Sequence, residues 1–589
     1  MTYRAPVDQI AAALDDVAGL PGLIESGLLP SLDGETVSAI LEEAGKFATE
    51  QIAPLNHQGD TDGAIFENGA VRMPKDWADV YNQWCEAGWC GMPGPGDFGG
   101  QELPVTVLTA VGEMWQAASM AFALNPMLTQ GAVETIARFA TDDLKQRYLP
   151  KMNEGAWSGT MQLTEPHAGS DLSTLKTMAE PQDDGSYLLS GTKIFITFGE
   201  HDLVENIVHM VLARTPDAPA GTRGISLFLV PKFLVNSDGS LGERNDIHCI
   251  SIEHKLGIHA SPTCVMQMGD NGGARGWLVG ELNRGLHAMF TMMNRARLAV
   301  GVEGAAIAER AYQQALSYAQ ERKQGHDAHG HQVAIIAHPD VKRMLLSMRA
   351  KTAAARAICF MTARMIDIAE RSEDENDRGA GDAMASLLTP VAKAFCTDIG
   401  VEVASDGVQV HGGMGYIEET GAAQHFRDAR IAPIYEGTNG IQAIDLVTRK
   451  LPLEDGAVVA QHIADLRAIL GEVQASNLPE FGNMGARLSE AVDALENATG
   501  WILDTLTKDA EAALAGATPY MRLFGLASGG TWLAKGALAQ SRSNGRAPDR
   551  IATARFFAEM LSVEAPGLAT AIMEGSSWVE SDLSDTSAG

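Results

Sequence analysis

The chain has 589 residues, too many for one hydrophobic core, and its 45% apolar and 20% charged content is globular, which excludes collagenous, disordered and disulfide-scaffold classes. Its 75 acidic residues against 44 basic ones leave a formal net charge of -31, which repels nucleic acid and anionic membrane surfaces. Six cysteines (Cys85, Cys90, Cys249, Cys264, Cys359, Cys396) lack CxxC spacing, so reduced thiols are expected rather than a metal site or a disulfide framework.

The opening residues are acidic and carry no basic segment followed by a continuous apolar run. No later segment reads as long enough to span a membrane, so a cytoplasmic location without membrane contact is expected. From residue 7 to about 156 the pattern is helical, as in "LDGETVSAILEEAGKFATEQIAPL". Short runs rich in β-branched residues follow, "GTKIFIT", "GISLFLVPKF" and "TCVMQM" among them, separated by Gly, Asn and Asp. Helical periodicity returns from about residue 284 in two long segments, with Pro339 near the second start. An acidic loop, "RSEDENDRGAGD", is expected before a helix from about Ala383 to Gln409 that the glycines of "HGGMGY" end. Beyond Pro452 the chain is Ala- and Leu-rich and helical to about Val579, and its last ten residues should fray.

The expected fold class is therefore α+β and multidomain. Residues 1–157 form an N-terminal all-α domain and 158–283 a middle β domain, a barrel or sandwich. Residues 284–452 form a C-terminal helical bundle and 453–589 an additional helical domain. The absence of regular strand–helix alternation argues against a doubly wound sheet.

Two motifs mislead. Gly94-Pro95-Gly96-Asp97-Phe98-Gly99 fits G-x-G-x-x-G but follows a helical segment and opens none, which removes the dinucleotide reading. His326, His329 and His331 lack ligand spacing and read as a solvated loop, so no metal is expected. More informative is "MQLTEPHAGSDLSTLKT", where Leu163, Thr164, Gly169 and Ser170 lie where helices give way to strands, a junction suited to an anionic or heteroaromatic ligand. Phe195 and Thr197 are two apart on one strand and so share a face. In "IAPIYEGTNGIQ" a lone acid, Glu436, precedes a Gly-Thr-Asn-Gly turn. Taken alone it reads as a solvated loop acid, because glutamates are mostly exposed.

The ordered set "LTEPHAGSD", "GTKIFIT", "ALSYAQERKQG", "VQVHGGMGY" and "FRDARIAPIYEGTNGIQ" resembles the acyl-CoA dehydrogenase family, in its long branch with a C-terminal helical extension. The resemblance implies FAD as cofactor and α,β-dehydrogenation of an acyl-CoA thioester to the 2,3-enoyl-CoA. Glu436 would be the catalytic base. Leu163, Thr164, Gly169, Ser170, Phe195 and Thr197 would line the flavin from the β domain, and Thr438 and Gln442 from the Glu436 side. Arg322, Gln409, Gly412 and Gly413 would hold the adenosine diphosphate part from a neighbouring subunit. Ser170, Asn294, Arg297, Tyr435 and Gly437 would contact substrate. Electron-transferring flavoprotein would take the electrons, and a homodimer would follow from FAD shared across subunits. An acyl-CoA oxidase passing electrons to oxygen is the nearest alternative, with a broad fatty-acyl range also open. A nucleic-acid-associated relative would need a basic C-terminal domain, whereas residues from 453 onward are net acidic. Three positions depart from the family pattern: Phe195 replaces a common Trp, Asn294 replaces an Asp, and Gly-His within a longer loop replaces Phe-Gly after "ER".

Overall fold

The computed structural model describes residues 3–542 and 549–580; the expected fraying of the tail falls, from residue 581, outside the described residues. The N-terminal domain is helical. Helix α1 (Gly34–Phe47) starts at Asp33, whose carboxylate accepts from Thr36 N–H at 2.7 Å. Helices α2 (Val105–Ala118) and α3 (Met120–Phe139) are separated only by Ser119, which leaves the helical conformation and caps α3. Pro104 cannot cap α2 through a side chain. Asp367, more than 260 residues later, does so instead, accepting from Val105 N–H (2.6 Å), Thr106 N–H (2.9 Å) and Thr106 Oγ1 (2.8 Å).

The middle domain holds strands β1 (Trp157–Gln162), β2 (Met178–Pro181), β3 (Tyr187–Thr197), β4 (Asn206–Ala213), β5 (Ser226–Pro231), β6 (Ile247–Ile252), β7 (Thr263–Met268) and β8 (Ala274–Val279). The sheet order is β6-β7-β3-β8-β5-β4-β1, with β2 beside β3. Strand β3 changes partners along its length. Residues 187–189 pair with β8 and β2, and residues 191–197 pair with β7. Gly191 stands at the change, at φ 146°, where a β-carbon would lie 2.6 Å from Thr177 Oγ1. Strands β2 and β8 and three short hairpins were not legible as period-two runs; the hairpins pair 65–67 with 70–72, 233–235 with 241–244, and 323–326 with 332–334.

Three long helices follow: α4 (Gly285–Glu321), α5 (Pro339–Arg371) and α6 (Glu375–His411). Pro339 sits in the first turn of α5, as expected. The acidic stretch read as a loop is helical from Glu375, because Asp374 accepts from Asn376 and Asp377 N–H and starts α6 eight residues early. Helices α4 and α6 pack backbone against backbone. A β-carbon at Gly304 would lie 2.2 Å from Cys396 O, and one at Gly301 would lie 2.5 Å from Ala392 O. Buried Arg356 of α5 joins Glu113 of α2 (2.5 to 3.0 Å) and Glu309 of α4 (3.0 Å), tying three helices with one cation.

The short helix α7 (Asn439–Asp445) leads to the last domain, built on α8 (Ala457–Ala475), α9 (Met484–Leu506) and α10 (Ala517–Arg542). This domain reaches back to the start of the chain. Lys535 Nζ donates to Val17 O (2.7 Å) and Arg550 pairs with Asp16, while Arg364 of α5 donates to Ala18 O (2.7 Å). One correction concerns Arg550–Trp578, which has the length and mean hydropathy (1.2) of a membrane span where none was expected. Its apolar residues Phe557, Ala558, Ala565 and Ile572 are buried, and Glu559 and Glu564 bond Asn483 N–H and Arg522. Only 33% of its apolar window is buried, and Met560, Val563 and Trp578 are exposed, so packing covers part of this apolar surface.

Gly304→Ala forces a side-chain atom against main chain and should cost about 1–3 kcal/mol in stability. The measurement is the thermal midpoint against Gly379→Ala, an α6 position where a β-carbon meets nothing within 4 Å.

Candidate active site

Residues 431–438 form a turn. It is closed by Ile434 and Tyr435 N–H donating to Ile431 O (2.8 and 3.1 Å) and by Asn439 N–H donating to Pro433 O (3.0 Å). Glu436 stands in it at φ 55° and Gly437 follows at φ 83°. Such a conformation costs a non-glycine residue about 1–2 kcal/mol. It is held by Gln442, fully buried, whose Nε2 donates to the carbonyls of Glu436 (3.2 Å) and Gly437 (3.4 Å). A β-carbon at Gly437 would lie 2.7 Å from that nitrogen, so the turn needs glycine there. Thr438 caps α7 through Ile441 N–H at 3.3 Å.

The Glu436 carboxylate makes no hydrogen bond among the described residues. Burial pushes its pKa upward, while the charges of Arg297 on α4 and Lys393 on α6 oppose the rise. It is half-buried, not the fully solvated loop acid that local sequence suggests. Arg297 is buried and lies 3.9 Å from Asp445, and its Nε has no partner among the described residues. Burial brings Lys393 down to about 8, and its Nζ donates to Asn439 Oδ1 at 2.8 Å. Asn439 in turn donates to Ala394 O (3.0 Å), Thr397 Oγ1 (3.0 Å) and Asp398 (2.7 Å), pinning the turn to α6.

Tyr435 is half-buried, and its hydroxyl donates to Glu303 Oε2 on α4. Glu303 is buried with Oε1 unpartnered among the described residues, and burial raises its pKa to about 8. Sequence reasoning missed Glu303, Lys393 and Asn439. Glu303 and Lys393 lie inside ordinary helical patterns and Asn439 in the Gly-Thr-Asn-Gly turn, and their partners are 41 to 132 residues away.

The β-domain wall is separately built. Lys193 Nζ donates to Leu163 O (3.0 Å) and pairs with Glu165 (2.9 Å), and Ile194 N–H donates to Thr164 O (2.9 Å). Glu165 also accepts from Lys176 N–H (2.7 Å), Thr177 N–H (3.0 Å) and Thr177 Oγ1 (2.6 Å). Burial acts to raise its pKa, but Lys193 and these bonds outweigh burial and lower it. Gly169 and Ser170 lie exposed in the loop this clamp closes. Phe195 is 59% exposed at φ 60°, where the β3–β7 register shifts, so simple alternation does not carry from Phe195 to Thr197. Thr197 O accepts from Thr160 Oγ1 at 2.7 Å.

The structure does not bring every expected residue to Glu436. Arg322 ends α4, 25 residues past Arg297, or about 38 Å along the axis at 1.5 Å per residue. Gln409, Gly412 and Gly413 share that far end, exposed, beside exposed Met414, Tyr416 and Ile417. Asn294 is exposed one turn before Arg297. The false leads hold as such: Gly96–Phe98 is a short turn, and the three histidines lie in or beside a small hairpin.

A cavity of about 440 Å³ lies between α2, α3 and α4, lined by Leu108, Gly112, Met127, Met161, Met292 and Val302, with Glu134, Arg138, Arg295 and Glu370 around it. The α4 residues that line it, Met292, Arg295, Ala296, Leu298, Ala299 and Val302, bracket Arg297 in sequence, while Glu303 and Glu436 are not among its lining. The residues fit a flavin: an exposed aromatic ring at a strand irregularity, a buried amide with an unpartnered oxygen in Gln442, and a glycine turn beside a carboxylate.

Four family models match the chain: acyl-CoA dehydrogenase N-terminal domain (residues 34–156), middle domain (160–270) and C-terminal domain (283–451), and acetyl-CoA dehydrogenase C-terminal like (459–580). The 3-methylmercaptopropionyl-CoA dehydrogenase of Ruegeria pomeroyi is 48% identical over 573 residues, covering 96% of this chain and 97% of that protein. A butyryl-CoA dehydrogenase of Syntrophomonas wolfei is 36% identical over 78% of this chain and 77% of its own. The FAD-complexed acyl-CoA dehydrogenase of Bacillus anthracis superposes with a TM-score of 0.74 over 92% of this chain and 88% of that one; at 21% identity this supports the fold. The chain belongs to the acyl-CoA dehydrogenase family.

Glu303 binds a proton when folded that it would not hold when unfolded, between the ordinary glutamate value of 4.5 and about 8. Its contribution to stability is therefore lost as pH rises through that window. Glu303→Gln should gain on wild type by up to about 1.4 kcal/mol per pH unit there. Parallel thermal midpoints from pH 5 to 8 check this.

Proposed function

We propose that this chain is an FAD-dependent dehydrogenase in which Glu436 removes the α-proton of an acyl-CoA thioester. The observation that carries the reading is the Glu436 turn: a carboxylate without hydrogen-bond partners, held in a left-handed conformation and raised by burial. Glu436 is half-buried in the structure; once substrate covers it, a base aimed by its backbone would meet the proton with little hydration shell to break. Bound FAD supplies the acceptor for the hydride that leaves the β-carbon.

Leu163, Thr164, Gly169, Ser170, Phe195 and Thr197 would hold the flavin from one side, with Phe195 as the aromatic shield, and Thr438 and Gln442 from the other. Gly437 lets the thioester approach the turn, and the Glu436 N–H would donate to its oxygen; such a donor is worth about 3 kcal/mol. Arg297 stabilises negative charge at this end, while Ser170, Asn294 and Tyr435 would meet the CoA arm or the acyl group.

We assign 3-methylmercaptopropionyl-CoA as substrate, giving 3-methylthioacryloyl-CoA. This is supported by the similarity to the Ruegeria protein over nearly the whole chain and by a cavity lined by Met127, Met161 and Met292. Polarizable thioethers suit a thioether tail, and the ion cluster around the cavity disfavours a long alkyl chain. The thiols, all free, fit a reducing cytoplasm.

Anaerobic bleaching of the flavin tests base and substrate together. Glu436→Gln should keep FAD and lose bleaching by about 10²–10⁴-fold or more. Wild type should bleach with 3-methylmercaptopropionyl-CoA and short straight-chain thioesters; bleaching by long chains alone overturns the assignment. The exposed far-end set of Arg322, Gln409, Gly412 and Gly413 supports a homodimer sharing FAD, and electron-transferring flavoprotein is the proposed acceptor. Sedimentation of the holoenzyme as two chains, and turnover with that flavoprotein without rapid peroxide formation in air, are the expected results.

A further inference from the structure

Behind the base lies a second carboxyl to which the proposed reaction gives no part. Glu303 sits on α4 and accepts from the Tyr435 hydroxyl, and Tyr435 is the residue immediately before Glu436. Its other oxygen is buried and unpartnered among the described residues. A buried carboxylate with one bare oxygen is unstable, and a neutral acid in the same place is not. The groups facing this pair are few. Arg297 faces it from α4, Lys393 and Asp398 from α6, and Asp445 from α7. Asp445 is engaged by Arg297 and Arg449, and Asp398 by Asn439, which leaves Glu303 and Glu436 to divide the field of Lys393.

We propose that Glu303 is a positioning residue for the base: linked to the turn through Tyr435, it carries the proton that Glu436 lacks and sets how basic Glu436 is. This rests on Glu436 being the base. While Glu303 is neutral it adds no charge against Glu436, whose pKa is then raised by burial and lowered by Arg297 and Lys393. When Glu303 ionises, a second negative charge disfavours charge on Glu436, so Glu436 takes the α-proton more readily. The Tyr435 bond also fixes the side chain next to the left-handed residue, so the turn keeps its aim while the charge changes. Burial of Glu303 places this change near pH 8.

The test is the rate of anaerobic flavin bleaching by a saturating acyl-CoA between pH 6 and 10, on the full-length holoenzyme. Wild type should rise with the ionisation of Glu436 and rise again, by about threefold, through pH 8. Glu303→Gln, which mimics the neutral acid, should bind FAD, bleach at pH 7 and lose the second rise. Lys393 also titrates near pH 8, so a second rise of undiminished size in Glu303→Gln assigns it to Lys393 and overturns the proposal. Tyr435→Phe removes the bond that lowers the Glu303 pKa and should move the second rise to higher pH. An unmoved rise in that variant also overturns the proposal, including where Glu303→Gln does not fold. Normal bleaching by Glu436→Gln would instead sink the assignment of the base, so the two failures are distinct.

Discussion

The site depends on the closeness of α4 and α6. Gly301 and Gly304 let α4 lie against the carbonyls of Ala392 and Cys396, and one turn on in α6 a β-carbon at Gly400 would lie 2.9 Å from Gly304 O. Helices separated by side chains lie 8–10 Å apart, and here the main chains touch instead. That contact brings Arg297 and Glu303 from one helix and Lys393 and Asp398 from the other to a single turn. Their mutual influence falls off steeply with distance and with water between them. The same helices, each 37 residues long, end at a second set of expected cofactor residues. One rigid pair thus carries both ends of the proposed binding surface.

At the turn itself three effects oppose one another, and burial is the largest of the electrostatic ones. Burial favours the neutral acid at Glu436, two cations favour the carboxylate, and the backbone conformation costs energy that Gln442 and Asn439 offset by bonding the turn on both sides. No one of these fixes the chemistry. A base too exposed is weak, one salt-bridged directly to Arg297 is weaker still, and one buried without cations would hold its proton permanently. Strain in an acid next to a glycine is therefore informative here because the neighbouring bonds over-determine it.

The order of helical and β domains and the long helices of the bundle were legible because periodicity is a local property, whereas Glu436 stood out only through the ordered set of motifs around it. The start of α6 was misread, because acidic residues describe a solvated loop and a helix N-terminus equally well, and Asp374 decides between them only through its own backbone bonds. Strand β8 was lost in a glycine-rich run. In β3 a register shift at Phe195 defeated the rule that residues two apart share a face. Glu303, Lys393 and Asn439 were illegible for a deeper reason: each acts through a partner 41 to 132 residues away, and nothing in the local pattern marks which polar residue will find one. The unexpected span at Arg550–Trp578 is the converse case, where length and apolar composition pass for a membrane segment although part of it packs within the last domain.

The bonds from Lys535 to Val17 and from Arg550 to Asp16 join the last quarter of the chain to its first turns. During synthesis those first turns leave the ribosome more than 500 residues before their partners exist. The N-terminal segment must therefore wait without the bonds at Asp16 and Val17 while three domains assemble beside it. Completion of the protein is signalled at its beginning: the final helices arrive as a latch, and a truncated chain is left open at the end that was made first.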